Sequence, residues 1–71
     1  LAHDSNGNAV IGDKVHLFES SNCIVNVPDG KKVVLQGLDD CIVVEANDTL
    51  MVIKKQDEQK IKEFSKVADG K

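Results

Sequence analysis

The chain has no tyrosine and no tryptophan, and its phenylalanines are two, Phe18 and Phe64. Binding of bases needs stacking platforms beside a basic groove, and the basic groove is missing as well. The nine basic residues, all lysines at positions 14, 31, 32, 54, 55, 60, 62, 66 and 71, are scattered among twelve acidic ones for a net charge of −3. Nucleic acid is therefore excluded as the expected ligand. The longest apolar run is far too short to span a membrane, and the first residues lack the basic and apolar regions of a signal peptide, so no membrane partner and a cytoplasmic setting are expected. Cysteine is scarce too: Cys23 and Cys41, with two histidines, are too few for a Cys/His metal framework or a disulfide-dense secreted scaffold. A core of 71 residues rarely supplies more than ~3–5 kcal/mol, and such domains lean on disulfides, a metal or a partner surface. With the first two in short supply, a partner surface is what remains. The chain opens at Leu1 in a polar stretch that reads as mid-protein sequence, which predicts a piece of something longer.

What is present is a repeat. "SNCIVNV" at 21–27 returns as "DDCIVVE" at 39–45, eighteen positions later. Aliphatic β-formers recur in short blocks, Val15-His16-Leu17-Phe18, Cys23 to Val27, Val33-Val34-Leu35, Cys41 to Val44 and Leu50 to Ile53, whose centres step by nine. Turn residues separate them: Glu19 to Asn22, Pro28-Asp29-Gly30, Gly37 to Asp40 and Asn47-Asp48-Thr49. Five short strands with turns between them is the plain reading. The step of nine would suit an antiparallel meander, with Asp29-Gly30 as a hairpin turn. The matches at eighteen are better: Cys23-Ile24-Val25 onto Cys41-Ile42-Val43, Gly12 onto Gly30, and Val15 and Leu17 onto Val33 and Leu35 and then Met51 and Ile53. A coil of that length stacks these positions across parallel ladders, about 4.8 Å apart. A mainly β fold, a short parallel β-helix of about eighteen residues per coil with a C-terminal α-helix, is the expectation.

Successive strand residues point to opposite faces. With Val15, Leu17, Cys23, Val25, Val33, Leu35, Cys41, Val43, Met51 and Ile53 turned inward, the outward set contains Phe18, Ile24, Val34, Ile42, Val44 and Val52. That set is apolar, and exposed aliphatic surface on this scale marks an interface. These six residues are the candidate docking surface, and Ile24→Asp or Ile42→Asp is expected to weaken association more than folding. Part of the cover is local: from Gln56 to Ala68 the spacing becomes helical, with Ile61, Phe64 and Val67 or Ala68 on one face, Asp57 and Glu58 near the start and Gly70 near the stop. Such a helix covers one face of the sheet or caps its end.

Candidate reactive groups give way to structural readings. Stacking would bring Cys23 and Cys41 near disulfide distance, but side chains at equivalent positions of neighbouring coils run parallel, a poor approach to the required torsion. They read as buried free thiols, with a redox pair as the alternative. His3 and His16, with Asp4 and Asp13 nearby, show no metal-ligand spacing. Asp29, Asp39 and Asp40 sit in turns, where Asp serves the backbone. Asn47-Asp48-Thr49 matches a glycosylation acceptor in form and a turn in context. Asn6-Gly7-Asn8 and Gly12-Asp13 also read as turns, and no GxxxxGK[ST] or GxGxxG spacing cradles a phosphate.

One resemblance covers nearly the whole chain, from about His3 to Val67. "NGNAVIGD" at 6–13, "SSNCIVNV" at 20–27, "VVLQGLDDCIVVEANDTLMVIKK" at 33–55 and "DEQKIKEF" at 57–64 resemble the C-terminal region of bacterial mannose-1-phosphate guanylyltransferases. The resemblance implies an N-terminal nucleotidyltransferase domain, absent here, that joins mannose 1-phosphate to GMP from GTP with Mg²⁺ and releases pyrophosphate. It implies a left-handed β-helix after that domain, packing on it and in some members making dimer contacts. No catalytic, cofactor-binding or metal residue carries over to any position of this chain; Mg²⁺ and GTP are expected in the catalytic domain. The organisation that follows is 1–13 as the linker from that domain, 14–55 as coils and 56–69 as helix. The expected partners are the chain's own catalytic domain and a second subunit. A free-standing β-solenoid binding module is the alternative, and an acyltransferase-like β-helix enzyme loses because the coils are too few to build inter-subunit clefts.

Overall fold

The computed structural model describes residues 5–69. Runs of valine, isoleucine and leucine form six strands: β1 (Ala9–Ile11), β2 (Lys14–Phe18), β3 (Ile24–Asn26), β4 (Lys32–Gln36), β5 (Cys41–Ala46) and β6 (Thr49–Lys54). Branched side chains are stiff and suit a pleated surface packed on one face. One sheet has the order β1-β3-β5-β6 and the other pairs β2 with β4. Ladders β1–β3, β3–β5 and β2–β4 are parallel. The meander is thereby overturned for all but the last strand.

The register explains the repeated phrase. Ile24 lies against Ile42, Val25 against Val43, Val15 against Val33 and Leu17 against Leu35, eighteen residues apart each time. The first rung is tighter, with Ala9 against Ile24, because Gly12-Asp13 joins β1 to β2 where Val27 to Lys31 joins β3 to β4. Since β1 already belongs to the sheet, the winding starts inside the stretch 1–13 that reads as linker.

A third side is built from backbone bonds at the corners. Ser21 bridges Asp39 in parallel sense, the Ser21 amide donates to the Leu38 carbonyl at 3.0 Å, the Asp40 amide to the Ser21 carbonyl at 3.1 Å, and the Asn22 amide to the Asn6 carbonyl at 3.1 Å. Corner conformations repeat as well: Gly12 and Gly30, Glu19 and Gly37, and Asn22 and Asp40 all have positive φ. Chain direction changes sharply there, and such φ values suit glycine, asparagine and aspartate.

The inward side chains meet in one core. Val25, Val27 and Val43 form its centre, with Val10, Val15, Leu17, Val33, Leu35 and Leu38 packed around them. Gly12 illustrates how close the chain runs: a Cβ there would stand 2.7 Å from Val27 Cγ2 and 3.2 Å from the Val27 carbonyl oxygen, at φ +139. Gly12→Ala is expected to destabilise by at least about 2 kcal/mol, and Gly30→Ala, with positive φ but open space, by about 1 kcal/mol. Urea midpoints of the two variants measure the difference.

The last strand departs from the expected winding. β6 runs antiparallel to β5, with Val43 opposite Val52, Val44 opposite Met51 and Ile42 opposite Ile53. Asn47 and Asp48 form the two-residue loop with φ 53 and 63, the signs that a type I′ hairpin turn requires. The chain therefore folds back on itself and does not pass round another coil. Opposite residues of an antiparallel pair share a face, so the expected sides are exchanged. Met51 and Ile53 join the outer face with Ile42 and Val44, and Val52 joins the inner face with Val43.

After β6 the chain forms a 3-10 segment, Lys55–Lys60, and then α1, Ile61–Asp69. The 3-10 segment lies against β5 and β6, and the Lys55 amide donates to the Asp40 carbonyl at 2.8 Å. That segment, rather than the helix, supplies the cover at the end of the sheet. α1 continues directly from the 3-10 segment and leaves Phe64 and Val67 exposed. The side chain of Ala68, and Gly70, lie outside the described residues.

Candidate docking surface

The six expected interface residues fall in three places. Phe18 and Val34 project outward from the β2–β4 side and are 54% and 65% exposed. Ile24 and Val44 lie on the outer face of the four-stranded sheet, half-buried. Ile42 shares that face but is only 5% exposed, covered within the chain. A carboxylate there would enter buried surface, so Ile42→Asp tests folding rather than association. Val52, on the inner face of β6, is nonetheless 52% exposed, and Leu50 beside it 61%. The reason is topological: the four-stranded side continues through β5 and β6, whereas the opposite side stops at β4. Leu50 escaped the sequence reading because its exposure depends on that missing neighbour.

Most of the polar candidates bond locally, within turns and corners. Cys23 and Cys41 are free and buried, each thiol donating to the carbonyl two residues before it, Ser21 and Asp39, at 3.3 Å. Asp13 Oδ1 accepts the Gly30 amide at 2.8 Å, and Asp39 Oδ1 accepts the Ser21 hydroxyl at 2.8 Å. His16 is exposed on β2; His3 and Asp4 lie outside the described residues. Asn8, which reads as a turn residue, is instead buried at the corner: its Nδ2 donates to the Ser20 carbonyl and its Oδ1 accepts the Cys23 amide, both at 2.9 Å. Its signal in the sequence, a lone amide before an apolar block, does not differ from that of an ordinary turn residue.

A shallow cleft of about 350 Å³ is lined by Asp39, Asp40, Lys54, Lys55 and Gln56. Its lining combines two carboxylates with two lysines and holds no histidine or thiol. Among the described residues no group of three His, Cys, Asp or Glu could hold a metal ion. No helix among the described residues is long and apolar enough to cross a membrane.

Parallel ladders on two sides, a bonded corner on the third, a valine core and apolar residues left facing outward define a small β-helix module. Residues 12–66 match the family described as "MannoseP isomerase/GMP-like beta-helix domain", and the chain belongs to that family. Over 69 residues it is 41% identical to "Alginate biosynthesis protein AlgA" of Pseudomonas aeruginosa, covering 97% of this chain and 14% of the relative. Over 61 residues it is 38% identical to a Vibrio cholerae protein named "Putative mannose-1-phosphate guanylyltransferase", covering 86% of this chain and 13% of the relative. A solved structure from Thermus thermophilus, titled as a "mannose-1-phosphate geranyltransferase", shares the fold, with a TM-score of 0.71 at 23% identity over 96% of this chain and 20% of that one. The chain thus spans about a seventh of the length of the curated relatives it matches. The resemblance carried by "NGNAVIGD", "SSNCIVNV" and the stretches that follow is borne out.

Proposed function

We propose that this chain is a noncatalytic docking module of a mannose-1-phosphate guanylyltransferase. It packs on a nucleotidyltransferase domain, on a second subunit, or on both, in the cytoplasm. The parent reaction converts GTP and mannose 1-phosphate to GDP-mannose and pyrophosphate, with Mg²⁺ and GTP held by the nucleotidyltransferase domain. In this reading the module winds left-handed with about eighteen residues per coil, in keeping with the eighteen-residue registers of β2–β4 and β3–β5.

The observation that carries the proposal is the exposure of Phe18, Val34, Leu50 and Val52. Large apolar side chains on several sides of so small a domain are suited to burial against a partner. The names of the relatives supply the parent reaction. The test compares pyrophosphate release from GTP on addition of mannose 1-phosphate and Mg²⁺ by the natural full-length protein and by these 71 residues. Activity is expected in the long form alone. Activity in the short chain would overturn the noncatalytic role, and inactivity of both would favour a free-standing binding module.

A further inference from the structure

We infer that Asn6 is a site of spontaneous covalent modification: its side-chain amide is lost to attack by the main-chain nitrogen of Gly7, and the product loosens the first rung of the winding. Ring closure of this kind needs an accessible asparagine and a following residue that does not crowd the attacking nitrogen. Glycine, with no Cβ, crowds it least. Asn6 is exposed in the turn before β1, and of the asparagines at 6, 8, 22, 26 and 47 it alone precedes glycine. The corner itself demands that glycine. Gly7 has φ +82, and a Cβ there would stand 2.9 Å from Asn22 Oδ1. The residue that lets the chain turn is thus the one that opens Asn6 to attack.

The Gly7 nitrogen gives up its proton to solvent hydroxide and forms a bond to Asn6 Cγ. The Cγ–Nδ2 bond breaks, and Nδ2 takes a proton from water and leaves as ammonia. Water then opens the resulting five-membered succinimide at either carbonyl. Opening at Cγ gives aspartate with the main chain unchanged, whereas opening at the main-chain carbonyl gives isoaspartate, in which the chain runs on through Cβ and Cγ. One water is consumed and one ammonia released, with nothing oxidised or reduced.

The fold makes that product consequential. Isoaspartate lengthens the main chain by one carbon–carbon bond, about 1.5 Å, just before β1, where the winding begins. The Asn6 carbonyl accepts the Asn22 amide at 3.1 Å; in isoaspartate that carbon belongs to a free carboxylate off the chain. Two residues on, buried Asn8 donates to the Ser20 carbonyl and accepts from the Cys23 amide, both at 2.9 Å. Such bonds are lost beyond roughly 3.5 Å, so a displacement on the scale of one covalent bond breaks them. The other asparagines are shielded by the residues that follow them, Ala9, Cys23, Val27 and Asp48, all of which carry a Cβ.

The test is ageing of the natural full-length protein at mildly alkaline pH and body temperature, followed by proteolysis and mass spectrometry. The peptide that contains Asn6 is expected to gain the mass difference between an amide and an acid and to separate into two products. Its conversion should run at least about tenfold faster than at Asn8, Asn22, Asn26 or Asn47, a gap of about 1.4 kcal/mol in barrier. Hydrogen exchange at the Asn22 and Cys23 amides should be faster in the aged protein by about tenfold or more. Asn6→Gln, which would have to close a six-membered ring, should keep both its mass and its exchange pattern through the same ageing. Freshly made Asn6→Asp carries the new charge without the extra bond and should exchange like the unaged wild type. An Asn6 peptide of constant mass, an aged protein with unchanged exchange at Asn22 and Cys23, an Asn6→Gln variant that loosens as fast as the wild type, or a fresh Asn6→Asp variant already loosened would each overturn the inference.

Discussion

Val43→Asp is expected to abolish cooperative folding, while Val34→Asp, on the outer face of β4, leaves the chain folded. Val43 is fully buried and sits at the centre of the core with Val25 and Val27. Its ladder neighbours are Val25 and Val52 and the core cluster it belongs to is made of valine and leucine, so a carboxylate there finds no cation within the core. Burying an isolated charge costs several kcal/mol even after relaxation, and a domain this small holds only ~3–5 kcal/mol in total. The penalty therefore matches or exceeds the whole stability. Val34 points the other way and is 65% exposed, so the same substitution meets water and costs little beyond strand propensity. Thermal unfolding followed by circular dichroism separates the two outcomes. A cooperative transition in Val43→Asp close to that of the wild type would show that the parity of β5 has been misassigned.

Asn8→Ala should be the most damaging polar truncation, at about 2–4 kcal/mol. The Asn8 side chain holds two rungs of the winding together at one corner, donating to the Ser20 carbonyl and accepting from the Cys23 amide while itself only 1% exposed. Alanine leaves both backbone groups buried without that partner, and each unsatisfied group costs about 1–3 kcal/mol. Asn8→Asp keeps the acceptor for the Cys23 amide but turns a carboxylate oxygen toward the Ser20 carbonyl, so it is expected to be no better than alanine. Ser21→Ala provides the contrast. Its hydroxyl bonds Asp39 at the exposed surface, where water replaces the lost partner, and a change of less than about 1 kcal/mol is expected. Urea denaturation with unchanged slope and shifted midpoint reads these differences. An Asn8→Ala midpoint equal to that of the wild type would mean that solvent reaches the corner and the bonds carry little weight.

Much of the winding was legible because its cause is local and periodic. Cys23-Ile24-Val25 and Cys41-Ile42-Val43 are alike because both occupy the same place on neighbouring rungs, where side-chain volume and corner geometry impose the same demand twice. Val15 and Leu17 over Val33 and Leu35 follow the same rule. The rule failed at Met51 and Ile53, which fit the repeat as apolar alternation and yet lie on the other face. Alternation has a period of two, so a strand that returns through a two-residue hairpin shows the same pattern as one that travels round a coil. The informative residues were Asn47 and Asp48, whose tolerance of positive φ favours the hairpin; Asp29-Gly30, the stronger hairpin signal by composition, instead turns a corner between β3 and β4.

The candidate surface divides in the same way. Phe18 and Val34 were legible as outward residues because they lie between inward neighbours on regular strands. Ile42 was misjudged as a free surface position because burial on an outer face depends on what the chain lays over it, here within reach of β6 and the 3-10 segment against β5 and β6. By itself the sequence determined the family, the parallel stacking of four strands and the valine core, since these follow from local side-chain pattern and corner residues. The tertiary structure alone decided where the winding ends, which face β6 presents and that Leu50 and Val52 stand uncovered. Those depend on the direction in which a strand returns, and strand direction leaves no trace in the alternation of apolar and polar residues.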